Sequence, residues 1–362
     1  MDHERQTETE SITFPINLYL HSIKHLDTLD LCRGDNDYRK VYIADDGNET
    51  IVIKQYSSDF IDKNRIEGWR RLMDAYRALG IYCPTMLPNL NGEWIHTYSI
   101  EKKTYYVFAE TYAKYDTAEH IGQEKWQDRA GKPVYLADMM RSLGKVANAR
   151  LNVVDFPSSY CLFEPFSPSD TTDEVTECAV RFADYVDKEL PQFREKTQTL
   201  LSLFHKNREA LANVYALLPT SCFQGDLNAS NILLDKDHRF AGLIDFNLCG
   251  REPVLNYAVR ESLWNAKENC LFGANGSRLY FYSQALDDRR MDLFYQNMAH
   301  IQEYYTFNAM EQWAFPFLFR YVNSFWWNHI FEIEMVKDDD EKILQIFNWL
   351  SRQMTRDDIR LP

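Results

Sequence analysis

The sequence predicts an α+β fold in two lobes: a small antiparallel sheet carrying one helix, then a larger and mainly helical body. Three observations point that way. Residues 26–112 are dominated by strand-like alternation, the apolar spacing beyond residue 113 turns helical, and the second part returns to a β pattern in one stretch, residues 231–246. The expected boundary puts residues 1–112 in the first lobe and 113–362 in the second.

Taken in order, a charged N-terminal tail precedes "FPINLYLHSIKHL", whose apolar spacing suits a helix. "LDTLDLCRG" and "YRKVYIAD" read as strands, and "ETIVIKQY" follows the turn "DDGN" as a third. "NRIEGWRRLMDAYRALG" has helical periodicity and stops at Gly80, with Pro84 just beyond. "GEWIHTYSI" and "KKTYYVFAETY" form a hairpin, which ends the β-β-β-α-β-β run near Tyr112. Helices are expected in "ADMMRSLGKVANARLNV", from Glu174 to Leu218 with a break at Pro191, and through the aromatic residues 255–360. The single β interruption is the hairpin "NILL-DKDH-RFAGLIDF".

Composition narrows the function classes. A net charge of −14 with interleaved signs lacks the basic footprint that nucleic acid demands. No apolar run reaches the roughly 18 residues of a membrane span, and the acidic "MDHERQTETE" lacks an apolar signal core. The expectation is a cytoplasmic protein with no membrane or nucleic-acid partner. Seven cysteines (32, 83, 161, 178, 222, 249 and 270) include no CxxC pair and read as free thiols. His21 and His25 at helical spacing, and His329 with Glu332, read as ordinary polar residues, because neither pair has the companions of a metal motif.

Chemistry concentrates in the hairpin. Asp226 and Asn231 precede its first strand and Asp245 ends its second, so three oxygen-bearing side chains fall at one end of a small element. Carboxylate and amide oxygens are hard ligands suited to Mg²⁺, and a further carboxylate beside them can accept a hydroxyl proton.

"QGDLNASN", with "LIDF" fourteen residues after its asparagine, resembles the catalytic and metal-binding loops of the aminoglycoside phosphotransferase and choline kinase-like small-molecule kinases, relatives of the protein kinases. The resemblance, spanning about residues 30–260, implies a protein kinase-like bilobal fold and transfer of the ATP γ-phosphate to a hydroxyl of an aminoglycoside, amino alcohol, sugar or amino acid. By it, Asp226 is the base, and Asn231 and Asp245 hold Mg²⁺. Lys54, closing "IVIK", grips the phosphates; Glu67 in "RIEGW" holds that lysine, with Asp59 and Asp62 as nearby alternatives; Gly34 lies in the phosphate-covering turn; and the stretch from Glu110 to Tyr112 offers backbone groups to adenine. Glu261 and Trp264, just past the metal loop, are the nearest acceptor candidates, suited to a cationic hydroxyl compound.

Three departures from the pattern accompany it. Gln224 stands where the family has His, "RGDNDYRK" has a single glycine, and Asn256 replaces a second acid in "REPVLNYAVRE". The first two keep open the alternative of a catalytically silent nucleotide-binding protein on the same fold.

Overall fold

The computed structural model describes residues 14–34, 36–128, 132–271, 284–326 and 328–362. The charged tail, Ser283 and its predecessors in "YFYSQ", and the side chains of Cys270 and Trp327 lie outside the described residues.

Strands β1 (His25–Asp30), β2 (Tyr38–Asp45), β3 (Thr50–Ser57), β4 (Met86–Leu87), β5 (His96–Ile100) and β6 (Lys103–Thr111) form an antiparallel sheet of order β1-β2-β3-β6-β4, with β5 also on β6. The sheet is buried on both sides. Val41, Tyr56 and Phe108 share a core with Ile66, Trp69, Leu72 and Tyr76 of helix α1 (Lys63–Ala78). Tyr42, Ile51, Ile53, Val107 and Ala109 pack on the other side against Ile16, Tyr19 and Leu20. This double covering explains why β3 begins as the unbroken apolar run "TIVI" rather than alternating. Helix α1 starts at Asp62, whose side chain accepts the Arg65 amide, and the chain turns away at Gly80 with φ +79°.

The helix expected over "FPINLYLHSIKHL" ends at Asn17. Its apolar spacing serves the outer sheet face instead, where the Tyr19 hydroxyl donates to the Val107 carbonyl, and His25 is already in β1. His21 and His25 therefore do not share a helical face. Likewise "LDTLDLCRG" leaves the sheet after Asp30.

Beyond β6, the body contains α2 (Leu136–Ala149), α3 (Glu174–Glu189), α4 (Arg194–Tyr215), α5 (Val254–Leu271), α6 (Gln284–Gln302), α7 (Ala309–Val322), α8 (Asn328–Glu334) and α9 (Asp340–Thr355). A 3₁₀ turn at Pro191–Phe193 separates α3 from α4, as the proline required. Among the described residues two β ribbons interrupt these helices, not one. The expected hairpin, β9 (Ile232–Leu234) with β10 (Phe240–Leu243), gains a third strand, β7 (Asp116–Thr117). A second ribbon pairs β8 (Thr220–Phe223) with β11 (Gly250–Pro253). Together they hold both ends of the 224–231 and 244–249 segments, which is where the chemistry sits.

Candidate active site

Asp226 is held by its own loop. The Asn228 amide donates to both carboxylate oxygens, at 2.8 and 2.9 Å, and Asn231 donates to Oδ2 at 2.9 Å and to the Asp226 carbonyl at 3.0 Å. Because the Asn231 nitrogen is spent on Asp226, its Oδ1 is the atom left to serve as a ligand. Asp245 follows β10 with φ +54°, a left-handed conformation that Asp tolerates better than most residues. Burial raises the Asp226 carboxyl above the usual carboxylate range, and the Asp245 charge adds to this against the two amides.

Gln224 ties the two loops together. Its Nε2 donates to the carbonyls of Ile244 (3.0 Å) and Asp245 (2.6 Å), while its Oε1 accepts the Asp226 amide at 2.7 Å. An uncharged amide thus does the fixing expected of an imidazole at this position. Gly225 sits at φ +89°, and a Cβ there would meet the Leu248 carbonyl oxygen at 2.2 Å, so the loops touch as backbone.

Lys54 lies across from them in β3, and its partner differs from the sequence expectation. Nζ is 3.0 Å from Glu110 Oε1, both side chains being buried, whereas Glu67 is not within ion-pair distance of it. The register explains this correction: Lys54 pairs with Phe108 and Val52 with Glu110, which puts Lys54 and Glu110 diagonally on one face. Burial, the largest single influence, would lower the ammonium, but Glu110, Tyr56 and Asp245 together outweigh it and raise it above an ordinary lysine. The Asp245 charge thus acts on both Lys54 and Asp226.

The Glu110 side chain is consequently turned to Lys54. At the sheet's exit the Thr111 amide donates to Thr85 and the Tyr112 amide to Thr50, at 2.9 and 3.2 Å, so these two donors are already engaged. Gly34, at φ +71° in the β1–β2 turn, has open space where a Cβ would stand.

Below Asp226 opens a cavity of about 190 Å³, lined by Tyr160, Glu174, Asp226, Leu227, Asn228, Arg260, Glu261, Trp264 and Trp326. The structure brings both acceptor candidates, Glu261 and Trp264, to the wall that carries Asp226. The rings of Trp264 and Trp326 stack 5.9 Å apart, and Arg260 lies 4.1 Å over Tyr160 while its guanidinium binds Glu174 at 2.6 Å. Among these lining residues three carboxylates face one guanidinium. Sequence reading did not single out Tyr160 and Glu174, which come from other elements, nor Arg260, which precedes Glu261 on α5; Trp326 belongs to the aromatic C-terminal stretch. Sequence reading also missed Asn228, which its place two residues after Asp226 could have suggested.

No cluster of three or more His, Cys, Asp or Glu side chains suited to a metal occurs among the described residues. An ion at Asn231 and Asp245 would therefore complete its shell with phosphate oxygens and water, the habit of Mg²⁺. The six cysteines with described side chains are free thiols. No described helix is long and apolar enough to cross a membrane.

A model described as a phosphotransferase enzyme family matches residues 28–256. Among solved structures, an aminoglycoside phosphotransferase from Alicyclobacillus acidocaldarius superposes with a TM-score of 0.51 at 13% identity, over 93% of this chain and 90% of that one. The amicoumacin kinase hAmiN, in complex with AMP-PNP, Ca²⁺ and Ami, gives 0.52 at 11% identity over 98% and 96%. At such identities the likeness is one of fold. No curated protein matches the sequence.

Proposed function

The chain belongs to the phosphotransferase enzyme family, and on that premise we propose that it moves the γ-phosphoryl group of ATP onto a hydroxyl of one small, cationic polar molecule. The observation that carries this reading is the position of Asp226: it lines the acceptor cavity, accepts from Asn231 and shares its electrostatic field with Asp245, which in turn feels Lys54.

In this reading residues 1–112 form the nucleotide lobe and the rest the catalytic and acceptor lobe. ATP lies between them, adenine near the sheet exit at Glu110 to Tyr112, phosphates under Lys54 and the Gly34 turn. Asn231 and Asp245 would hold Mg²⁺, which would supply positive charge to offset that of the phosphate oxygens. The acceptor hydroxyl gives its proton to the Asp226 carboxylate as its oxygen bonds to the γ-phosphorus. The bond from that phosphorus to the bridging oxygen breaks, and its electron pair leaves with ADP. A base in this role typically contributes about 10²–10⁴-fold.

The cavity selects the acceptor. Its excess of carboxylates and the stacked indoles favour an amine. The test is ADP release from Mg·ATP across amino alcohols, amino acids, sugars and aminoglycosides. A small hydroxylated amine should give the highest rate, and Asp226→Asn should lower it by roughly 10²–10⁴-fold. A best substrate that is anionic, or turnover undiminished by Asp226→Asn, would refute the assignment.

A further inference from the structure

We propose that Tyr160 is a specificity-determining residue whose hydroxyl donates a hydrogen bond to a second, uncharged oxygen of the acceptor. The substrate class is then an amine carrying at least two hydroxyls, one to be phosphorylated at Asp226 and one to be read by Tyr160. This inference rests on the phosphotransferase reading of the cavity and adds the substrate class that reading leaves open.

The catalytic loops put Tyr160 beside Asp226. Its neighbour Ser159 donates from its amide to the Leu248 carbonyl at 3.2 Å and from its hydroxyl to the Gly225 carbonyl at 3.5 Å, so this segment is pinned to both loops of the site. Helix α5 then fixes Tyr160 with two side chains four positions apart, one on its backbone and one on its ring. Asn256 donates to the Tyr160 carbonyl at 2.9 Å, and the Arg260 guanidinium covers the ring at 4.1 Å while Glu174 holds it. An ionised acid at position 256 could not donate the first of these bonds, which gives the departure from the family pattern a purpose. The ring is clamped, and the hydroxyl is not. It makes no hydrogen bond to any described residue, and Tyr160 lines the same cavity as Asp226. The charged groups that act on the phenol, Glu261, Arg260, Glu174 and Asp226, line that cavity too.

The charges decide what kind of atom the hydroxyl meets. Burial, with Glu261 adding to it, holds the phenol well above the usual tyrosine range, so it keeps its proton and can donate. Arg260 on the ring face draws electron density from the phenol and strengthens that donor. A carboxylate or phosphate on the acceptor would face Asp226, Glu174 and Glu261 against a single guanidinium that already serves Glu174, and would be repelled. A hydroxyl oxygen meets no such repulsion. The ammonium is drawn to the carboxylates and the stacked indoles, which leaves Tyr160 to the second hydroxyl.

The experiment compares serinol with alaninol, in which one hydroxymethyl group of serinol is replaced by methyl. The readout is kcat/KM for ADP release from Mg·ATP in the wild type and Tyr160→Phe. The wild type should favour serinol by about tenfold, the order of one neutral hydrogen bond, and Tyr160→Phe should bring the ratio to about one through a loss on serinol. The phenylalanine keeps the ring under Arg260, and calorimetric Mg·ADP affinity within about twofold of wild type shows that the loops keep their shape. A wild type without preference, or a variant that retains the wild-type ratio, would overturn the proposal. A variant that loses Mg·ADP affinity would also overturn it, making Tyr160 a support of the loops. Absence of ADP release by the wild type with these and every other acceptor of the panel would instead remove the phosphotransferase reading itself, and Tyr160's role with it.

Discussion

Two amides, not one, aim Asp226, and this decides what its replacement should do. Asp226→Asn keeps the shape but removes the proton acceptor, so turnover should fall by roughly 10²–10⁴-fold while Mg·ADP affinity in calorimetry stays close to wild type. Comparable falls in both would mean that Asp226 maintains the nucleotide site instead of accepting a proton. Lys54 allows a sharper contrast. Glu110→Gln should weaken Mg·ATP binding by about tenfold, because a buried ammonium loses its charged partner at 3.0 Å, and Glu67→Gln should leave it unchanged. The reverse result would restore the helix glutamate as the holder. These two glutamates also show where residue-level reading stops. Lys54 was legible from its place at the end of "IVIK", but its partner is 56 residues away and depends on the register of β3 against β6, which local spacing does not encode. Glu261 and Trp264 could be read because they follow the metal loop closely; Tyr160, Glu174 and Trp326 reach the cavity only through packing of distant segments.

At the scale of elements, strands with turn signals at both ends and helices with caps were legible: β2, β3, α1 and the β5–β6 hairpin fall where periodicity put them. The expectations that failed have two causes. Strands β8 and β11 have four residues each, β11 containing both a glycine and a proline, so no alternation exists to read. Residues 14–26 bury a helix-like set of apolar side chains against a sheet face, and that burial alone produced the spacing. Helix α2 carries a prediction of its own. Gly144 faces α6 so closely that a Cβ would stand 2.3 Å from the Ile301 carbonyl oxygen. Gly→Ala inside an exposed helix usually stabilises by up to ~1 kcal/mol; here Gly144→Ala should destabilise by about 1–3 kcal/mol, measured by urea denaturation, because the obstacle is backbone. A more stable variant would show that the helices are not in contact there.

For the whole molecule, the segment after residues 244–249 is tied to the body by the buried carboxyl of Glu252. Glu252 accepts from the Ser158 hydroxyl and from Asn256 at 2.6 Å, and burial raises it to about 7, against the ordinary glutamate range. The sign follows from linkage. Below the unfolded value both states are protonated and nothing is lost; as pH climbs to about 7 the unfolded chain ionises first, so folding loses up to roughly 3 kcal/mol. Glu252→Gln keeps the acceptor for Asn256 and removes the titration, so its melting temperature should gain on the wild type's between pH 5 and pH 7.5. A constant difference across that range would mean that Glu252 does not titrate there.

The assignment as a whole depends on a lysine ammonium, a metal-binding pair and a proton acceptor serving one reaction. Its most direct test is ADP formation from Mg·ATP with a panel of small hydroxylated amines, run on the wild type, Asp226→Asn and Asp245→Asn. The account predicts acceptor-dependent ADP release by the wild type and its loss in both variants, with Mg²⁺-dependent nucleotide binding lost only in Asp245→Asn. Acceptor-dependent release of similar rate in all three proteins would contradict it.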